Sequence, residues 1–100
     1  MIYCFDLDMT LCLTDGTDYH SARPIPERVL KVNDLHSKGH YIKIFTARGS
    51  ESGIDFESLT SSQLRDWGVN FHELILGKPA ADIYVDDKGV SDSDFFGPAG

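Results

Sequence analysis

Two cysteines, Cys4 and Cys12, are all that this chain of 100 residues contains. Their spacing matches no metal knuckle and no redox pair, so a zinc-nucleated fold and a disulfide framework are set aside and the thiols read as reduced. Positive charge is also scarce. Nine Lys and Arg stand against 16 Asp and Glu, and the formal charge of −7 disfavours nucleic acid or an anionic membrane as the main partner. No long apolar run occurs either: the opening stretch Ile2 to Phe5 meets Asp6 too early for a signal peptide or a spanning segment, which points to the cytoplasm. Repeats and low-complexity stretches are missing. Residues 1–100 are expected to form a single domain, burying roughly 60 to 70 % of the unfolded surface around one small core.

What the chain does have is a pair of carboxylates in a telling place. Asp6 and Asp8, in the run Asp6-Leu7-Asp8-Met9-Thr10, follow directly on the apolar Ile2 to Phe5, where a buried strand would end. Side chains alternate along a strand, but both carboxylates reach one site if the backbone turns after Asp6. One would serve as nucleophile and the other as proton carrier. Turn-forming Asp residues that merely end a strand give the same pattern.

Three further apolar stretches end in polar residues. Tyr41 to Phe45 runs into Thr46, Ala47 and Arg48; Leu74 to Leu76 into Gly77, Lys78 and Pro79; Ile83 to Val85 into Asp86 and Asp87. In open α/β sheets ligands bind beyond the carboxyl ends of the strands, so a hydroxyl, an ammonium and several carboxylates would meet in one crevice.

This ordered set resembles the four motifs of the haloacid dehalogenase-like hydrolase superfamily, over Asp6 to Asp87. The resemblance implies a three-layer, Rossmann-like core with a mostly parallel sheet, and a phosphatase that passes through an aspartyl-phosphate. It makes Asp6 the nucleophile and Asp8 the general acid and base. Thr46, Ala47 and Lys78 become phosphate ligands, and Asp6, Asp8, Asp86 and Asp87 surround a magnesium ion. Thr46-Ala47-Arg48-Gly49-Ser50, Trp67-Gly68-Val69, Phe71-His72-Glu73-Leu74 and Gly77-Lys78-Pro79 look like small phosphatases encoded with capsular polysaccharide genes. Met9 departs from the pattern, since the superfamily usually has Gly there.

The chemistry of the residues agrees. A phosphate monoester is a dianion that repels carboxylates, so Asp6, with an ordinary pKa of ~3.9, needs a cation beside it to act as a nucleophile. Mg²⁺ suits that role, bound by Asp6 and Asp86 with Asp87 acting through a water. Lys78 supplies a compact charge and Thr46 a hydroxyl donor. Asp8 must be protonated as the alcohol leaves and ionised when water attacks, so its pKa is expected above the free value, pushed up by its neighbour. Arg48 either binds a substrate anion or pairs with an acidic side chain. His20 and His72 are further candidates for contact with the leaving group. The expected substrate is a small phosphorylated metabolite such as a sugar- or polyol-phosphate. Dehalogenation is disfavoured by Asp8, and a signalling receiver by two carboxylates on one strand; a non-catalytic phosphate-binding module of the same fold stays open.

Along the chain, Asp15 to Arg23 reads as a surface loop, the flap of the resembled superfamily. A helix is expected from Pro26 to just before Gly39, with Val29, Val32 and Leu35 buried, and a second carrying Leu59, Gln63 and Trp67 up to Gly68. Ile83 to Val85 is expected as a fourth strand, reached from Gly77 to Asp82 by one helical turn starting at Pro79. Phe95 and Phe96 either dock on the core or mark a partner surface. Neither connection between motifs has room for a cap domain, which leaves the site to be covered by loops, by substrate or by a neighbouring subunit in a homo-oligomer.

Overall fold

Alternation along Tyr41–Thr46 (β4) decides the centre of the molecule, because Ile42, Ile44 and Thr46 turn to one side and are buried while Tyr41, Lys43 and Phe45 turn to the other. In the computed structural model, which describes residues 1–98, β4 lies between Ile2–Asp6 (β1) and Glu73–Leu76 (β5) in a parallel three-stranded sheet. The register pairs Phe5 with Ile44 and Asp6 with Phe45. The carboxyl ends of β1 and β4 therefore open side by side.

Two helices make the crossovers. Pro26–Ser37 (α1) starts at a proline whose fixed φ suits the first helical position, carries Glu27 in its first turn, and closes with the amides of Gly39 and His40 bonding back to His36 and Leu35. Glu57–Asp66 (α2) ends the same way, with Gly68 and Val69 bonding to Arg65 and Leu64. The sheet order β1-β4-β5 steps twice in one direction, so right-handed crossovers put both helices on the same face. Val29, Val32 and Leu35 of α1 and Leu64 of α2 pack there with Phe5, Ile42 and Ile44, and Trp67 packs against this core as a wall residue. The opposite face holds Ile2 at 66 % exposure and Ile75 at 39 %, together with exposed Cys4. Parallel sheets are usually covered on both faces. The third layer of the expected architecture is not among the described residues.

Three expectations need correction. Asp15 to Arg23 is not a loop: Cys12–Asp15 (β2) and Asp18–Pro24 (β3) form an antiparallel hairpin pairing Cys12 with Pro24 and Asp15 with Asp18. Its turn is Gly16-Thr17, with Gly16 at φ 57°, and a glycine at the first turn position is the hairpin signal that the polar composition masked. Ile83 to Val85 is not a strand, and no helical turn starts at Pro79. Six residues between Leu76 and Ile83 cannot make the crossover that a parallel neighbour needs. Every residue from 79 to 91 is exposed.

The end of the chain returns to the body. Asp92–Phe96 (α3) is capped by Ser91, whose Oγ accepts the Asp94 amide at 3.2 Å. Phe95 and Phe96 dock on the sheet, their ring centroids 5.6 and 5.8 Å from that of Phe5. No helix among the described residues is long and apolar enough to cross a membrane.

Candidate active site

The site begins with the turn that β1 makes at its carboxyl end. Leu7, fully buried, accepts the amides of Thr10, Leu11 and Cys12 on its carbonyl, so the chain reverses within five residues and carries Asp8 back toward the hairpin. Met9 holds φ 64° in this turn. That left-handed conformation costs an ordinary side chain roughly 1–2 kcal/mol, which explains the preference for glycine at such a position. The Met9 side chain is 58 % exposed, so it does not crowd the site.

Asp6 and Asp8 meet different cations. The Asp6 carboxylate lies 3.5 Å from the Lys78 ammonium. Burial pushes its pKa up; Lys78 and the Leu7 amide pull it down, and the charge of Asp8 adds to the rise. Asp8 is held instead by Arg48 in a two-pronged pair, Nε to Oδ2 at 2.9 Å and Nη2 to Oδ1 at 2.8 Å, and accepts the Thr14 hydroxyl as well. Burial pushes Asp8 up too, but these hydrogen bonds outweigh it, and its pKa falls below the usual carboxylate value. The expectation of a raised pKa is therefore reversed. The neighbouring carboxylate loses to a guanidinium in direct contact.

Arg48 is 2 % exposed and fully engaged. Its Nη1 donates to Thr60 Oγ1 at 3.1 Å and to Gln63 Oε1 at 2.6 Å, and its guanidinium carbon sits 4.7 Å from the Tyr19 ring centroid. Of the two roles open to it, the structure shows the acidic pairing.

Lys78 follows β5 and lies beside Asp6. Its amide donates to the Thr46 carbonyl at 3.1 Å, and its ammonium rests 4.5 Å from the Phe45 ring centroid and 4.1 Å from that of Tyr84. Thr46 is 1 % exposed, and its Oγ1 accepts the Arg48 amide at 3.1 Å, which leaves the hydroxyl proton for another acceptor. Ser50 joins the two loops by donating to the Lys78 carbonyl at 2.7 Å.

Asp86 Oδ1 accepts the amides of Lys88 and Gly89, a local turn whose hydrogen bonds lower its pKa, and Asp87 is exposed. Among the described residues no three His, Cys, Asp or Glu side chains gather as a metal set. His72 belongs to the other end of the sheet: its Nδ1 accepts the Ile42 amide at 3.0 Å and its ring stacks between Tyr41 and His36. From Ile42 to Thr46 a strand rises roughly 13 Å, which puts His72 out of reach of the Asp6 end. His20 is exposed on β3.

The chain is similar to a protein from Vibrio cholerae whose crystal structure is known under a target designation alone. The two share 27 % identity at a TM-score of 0.85, over 94 % of this chain and 85 % of that one. No family model and no curated protein matches the chain. The fold is thus one adopted elsewhere.

Sequence reasoning missed Arg28. It is 2 % exposed, donates to the Thr10 carbonyl at 3.1 Å and the Gly97 carbonyl at 3.0 Å, and pairs with Asp92 at 2.6 Å. It thereby ties α3 to the turn that carries Asp8. The signal was its position on the face of α1 that also bears Val32 and Leu35, where a charge must find partners. Gln63, an Arg48 partner, stood at helical spacing with Leu59 and Trp67, whereas Thr60, the other Arg48 partner, and Thr14, which bonds Asp8, gave no such signal.

Proposed function

We propose that this chain is a phosphoric monoester hydrolase with a haloacid dehalogenase-like core, acting on a small phosphorylated metabolite through an aspartyl-phosphate on Asp6. One observation carries the reading: Asp6 leaves the carboxyl end of β1 within 3.5 Å of the Lys78 ammonium, next to Thr46 at the end of the adjacent β4. A dianionic phosphate needs a cation at the nucleophile, and Lys78 is that cation. An Asp6 oxygen attacks phosphorus as the bond to the ester oxygen breaks, and that oxygen departs as the alcohol after taking a proton. Water then attacks phosphorus, the bond to Asp6 breaks, and inorganic phosphate leaves.

Asp8, held ionised by Arg48, suits the second half of this cycle, where a base takes a proton from the attacking water. Supplying a proton to the alcohol requires Arg48 to let it go. The residues as placed do not form a set for the expected Mg²⁺, because among the described residues no three His, Cys, Asp or Glu side chains gather and Asp8 is held by Arg48. No step above runs through a metal. The Asp8–Arg48 pair also favours a second reading, a non-catalytic phosphate-binding module of the same fold type.

Phosphate release from sugar, polyol, amino-alcohol and aryl phosphates separates the two. The wild-type chain should turn over at least one class, and Asp6→Asn should reduce that rate by about a thousandfold or more, since an amide cannot form the acyl phosphate. Activity within tenfold of wild type in Asp6→Asn would sink the hydrolase; phosphate-ester binding without turnover would establish the module. Running the assay in EDTA adds one reading. Full activity there means that Lys78 suffices, and loss restored by Mg²⁺ means that substrate gathers donors which the free chain keeps apart.

A further inference from the structure

Beside the Asp6–Lys78 end of the sheet lies a cleft of about 330 Å³, walled on one side by the β2–β3 hairpin at Tyr19 and on the other by the loop after β4, at Glu51, Ile54 and Phe56. Its lining comes from the same loops that carry the site already described. Ala47, between the phosphate-side Thr46 and Arg48, lines it, as does Ala80, two residues beyond Lys78. A phosphoryl group at Asp6 and Lys78 would therefore have its ester oxygen near the mouth of this cleft.

Its walls are built. The Tyr19 and Phe56 rings meet edge to face with centroids 5.0 Å apart, Tyr19 is backed by the Arg48 guanidinium, and Gln63 Nε2 donates to the Tyr19 carbonyl at 2.6 Å. The loop on the far side depends on Gly49, which holds φ 83°; a Cβ there would lie 2.1 Å from the Ile54 carbonyl oxygen. That carbonyl crosses directly over Gly49, so the backbone path that presents Ile54 to the cleft exists only with glycine at this position. Ile54 stays 58 % exposed, an apolar side chain left facing solvent at the rim.

Two properties of the lining name the ligand. Carbon dominates it, through the two rings, Ile54 and the two alanines, and Glu51 is its formal charge. A cavity of about 150 Å³ is enough for benzene, so this one holds a single substituted ring. We propose that the cleft is the subsite for the alcohol portion of the phosphate ester, and that it takes a ring-bearing alcohol carrying no negative charge. The inference rests on the hydrolase reading for the position of the phosphoryl group. Glu51, in a molecule of net charge −7, repels carboxylated or further phosphorylated alcohols and favours a cationic substituent.

Three benzyl phosphates that differ only in the para substituent, hydrogen, aminomethyl or carboxylate, test this in the full chain. For the wild type, kcat/KM should be at least about tenfold higher for the aminomethyl than for the carboxylate ester, mostly through KM, and Glu51→Gln should shrink that ratio to within about threefold. Ile54→Asp should raise KM for the unsubstituted ester about tenfold with kcat nearly unchanged. Equal kcat/KM for the three esters, or a ratio unmoved by Glu51→Gln, overturns the subsite while leaving the hydrolase intact. Benzylphosphonate, whose P–C bond is not hydrolysed, supplies the arm that does not depend on turnover. Amide shifts on titration should concentrate in residues 17–19 and 47–56; shifts confined to other regions overturn the subsite, and shifts in these segments without hydrolysis of any ester keep it and remove the hydrolase.

Discussion

Two apolar runs of similar make-up meet opposite fates in this chain. Ile42 and Ile44, in the run that follows α1, are fully buried, while Ile83 and Val85, in a run that also ends in polar motif residues, stand 78 % and 90 % exposed. The first run is flanked by helices long enough to carry the chain back for parallel pairing on both sides. The second follows its predecessor by six residues and pairs with nothing among the described residues. Apolar content makes a strand only where the connections can deliver a partner edge. The residues that the two runs present differ accordingly: Thr46 and Arg48 are locked in a buried network, and Asp86 and Asp87 sit on an exposed turn.

The largest test of this contrast lies in the buried network. Arg48→Ala leaves the partly buried Asp8 without its cation and strips Gln63 and Thr60 of their donor, and should cost about 3–5 kcal/mol in urea unfolding. A loss below about 1 kcal/mol would mean that water replaces the guanidinium and the network is not what holds the turn. Pairing it with Asp8→Asn in a double-mutant cycle isolates the ion pair from the packing of the arginine stem.

Next come the two apolar runs themselves. Leu64→Ala, at a fully buried position facing Ile42 and Ile44, should cost about 2–5 kcal/mol, and Val85→Ser should stay within about 0.5 kcal/mol. A cost above about 1 kcal/mol for Val85→Ser would break the contrast, because it would show that Ile83 to Val85 is buried in solution against something, with the open β1 edge as the first place to look.

The smallest effect is on pH, and it has a sign for each carboxylate. Asp8 has a folded pKa below its unfolded value, so its contribution to stability is present above about pH 4 and is lost as pH falls through the lower folded value. Asp6 is the reverse: its raised folded pKa favours the neutral form, and stability is lost as pH rises from the unfolded to the folded value. At pH 7 Asp6→Asn should therefore stabilise and Asp8→Asn destabilise, by midpoint of urea unfolding. Changes of the same sign would show that the two carboxylates share one environment, contrary to their separate partners.

What the sequence determined by itself is the local part: the two crossover helices and their glycine-ended closures, strands β1, β4 and β5, and the placement of Asp6, Thr46 and Lys78 at strand ends. Each of these rests on periodicity, capping or proximity along the chain, which short-range sterics and burial read directly. The tertiary structure alone decided which cation each carboxylate meets, because Arg48 and Asp8 are forty residues apart and nothing local couples them. It also decided that polar Asp18 to Pro24 joins a hairpin, that Ile83 to Val85 stays unpaired, and that His72 lies at the far end of the sheet. These are questions of which edges and charges are available once the body has packed, and a pattern of residues does not carry that information. Arg28 shows the boundary between the two: its place on a buried helix face was legible, and its partners at Thr10, Asp92 and Gly97 became known only when both ends of the chain came together.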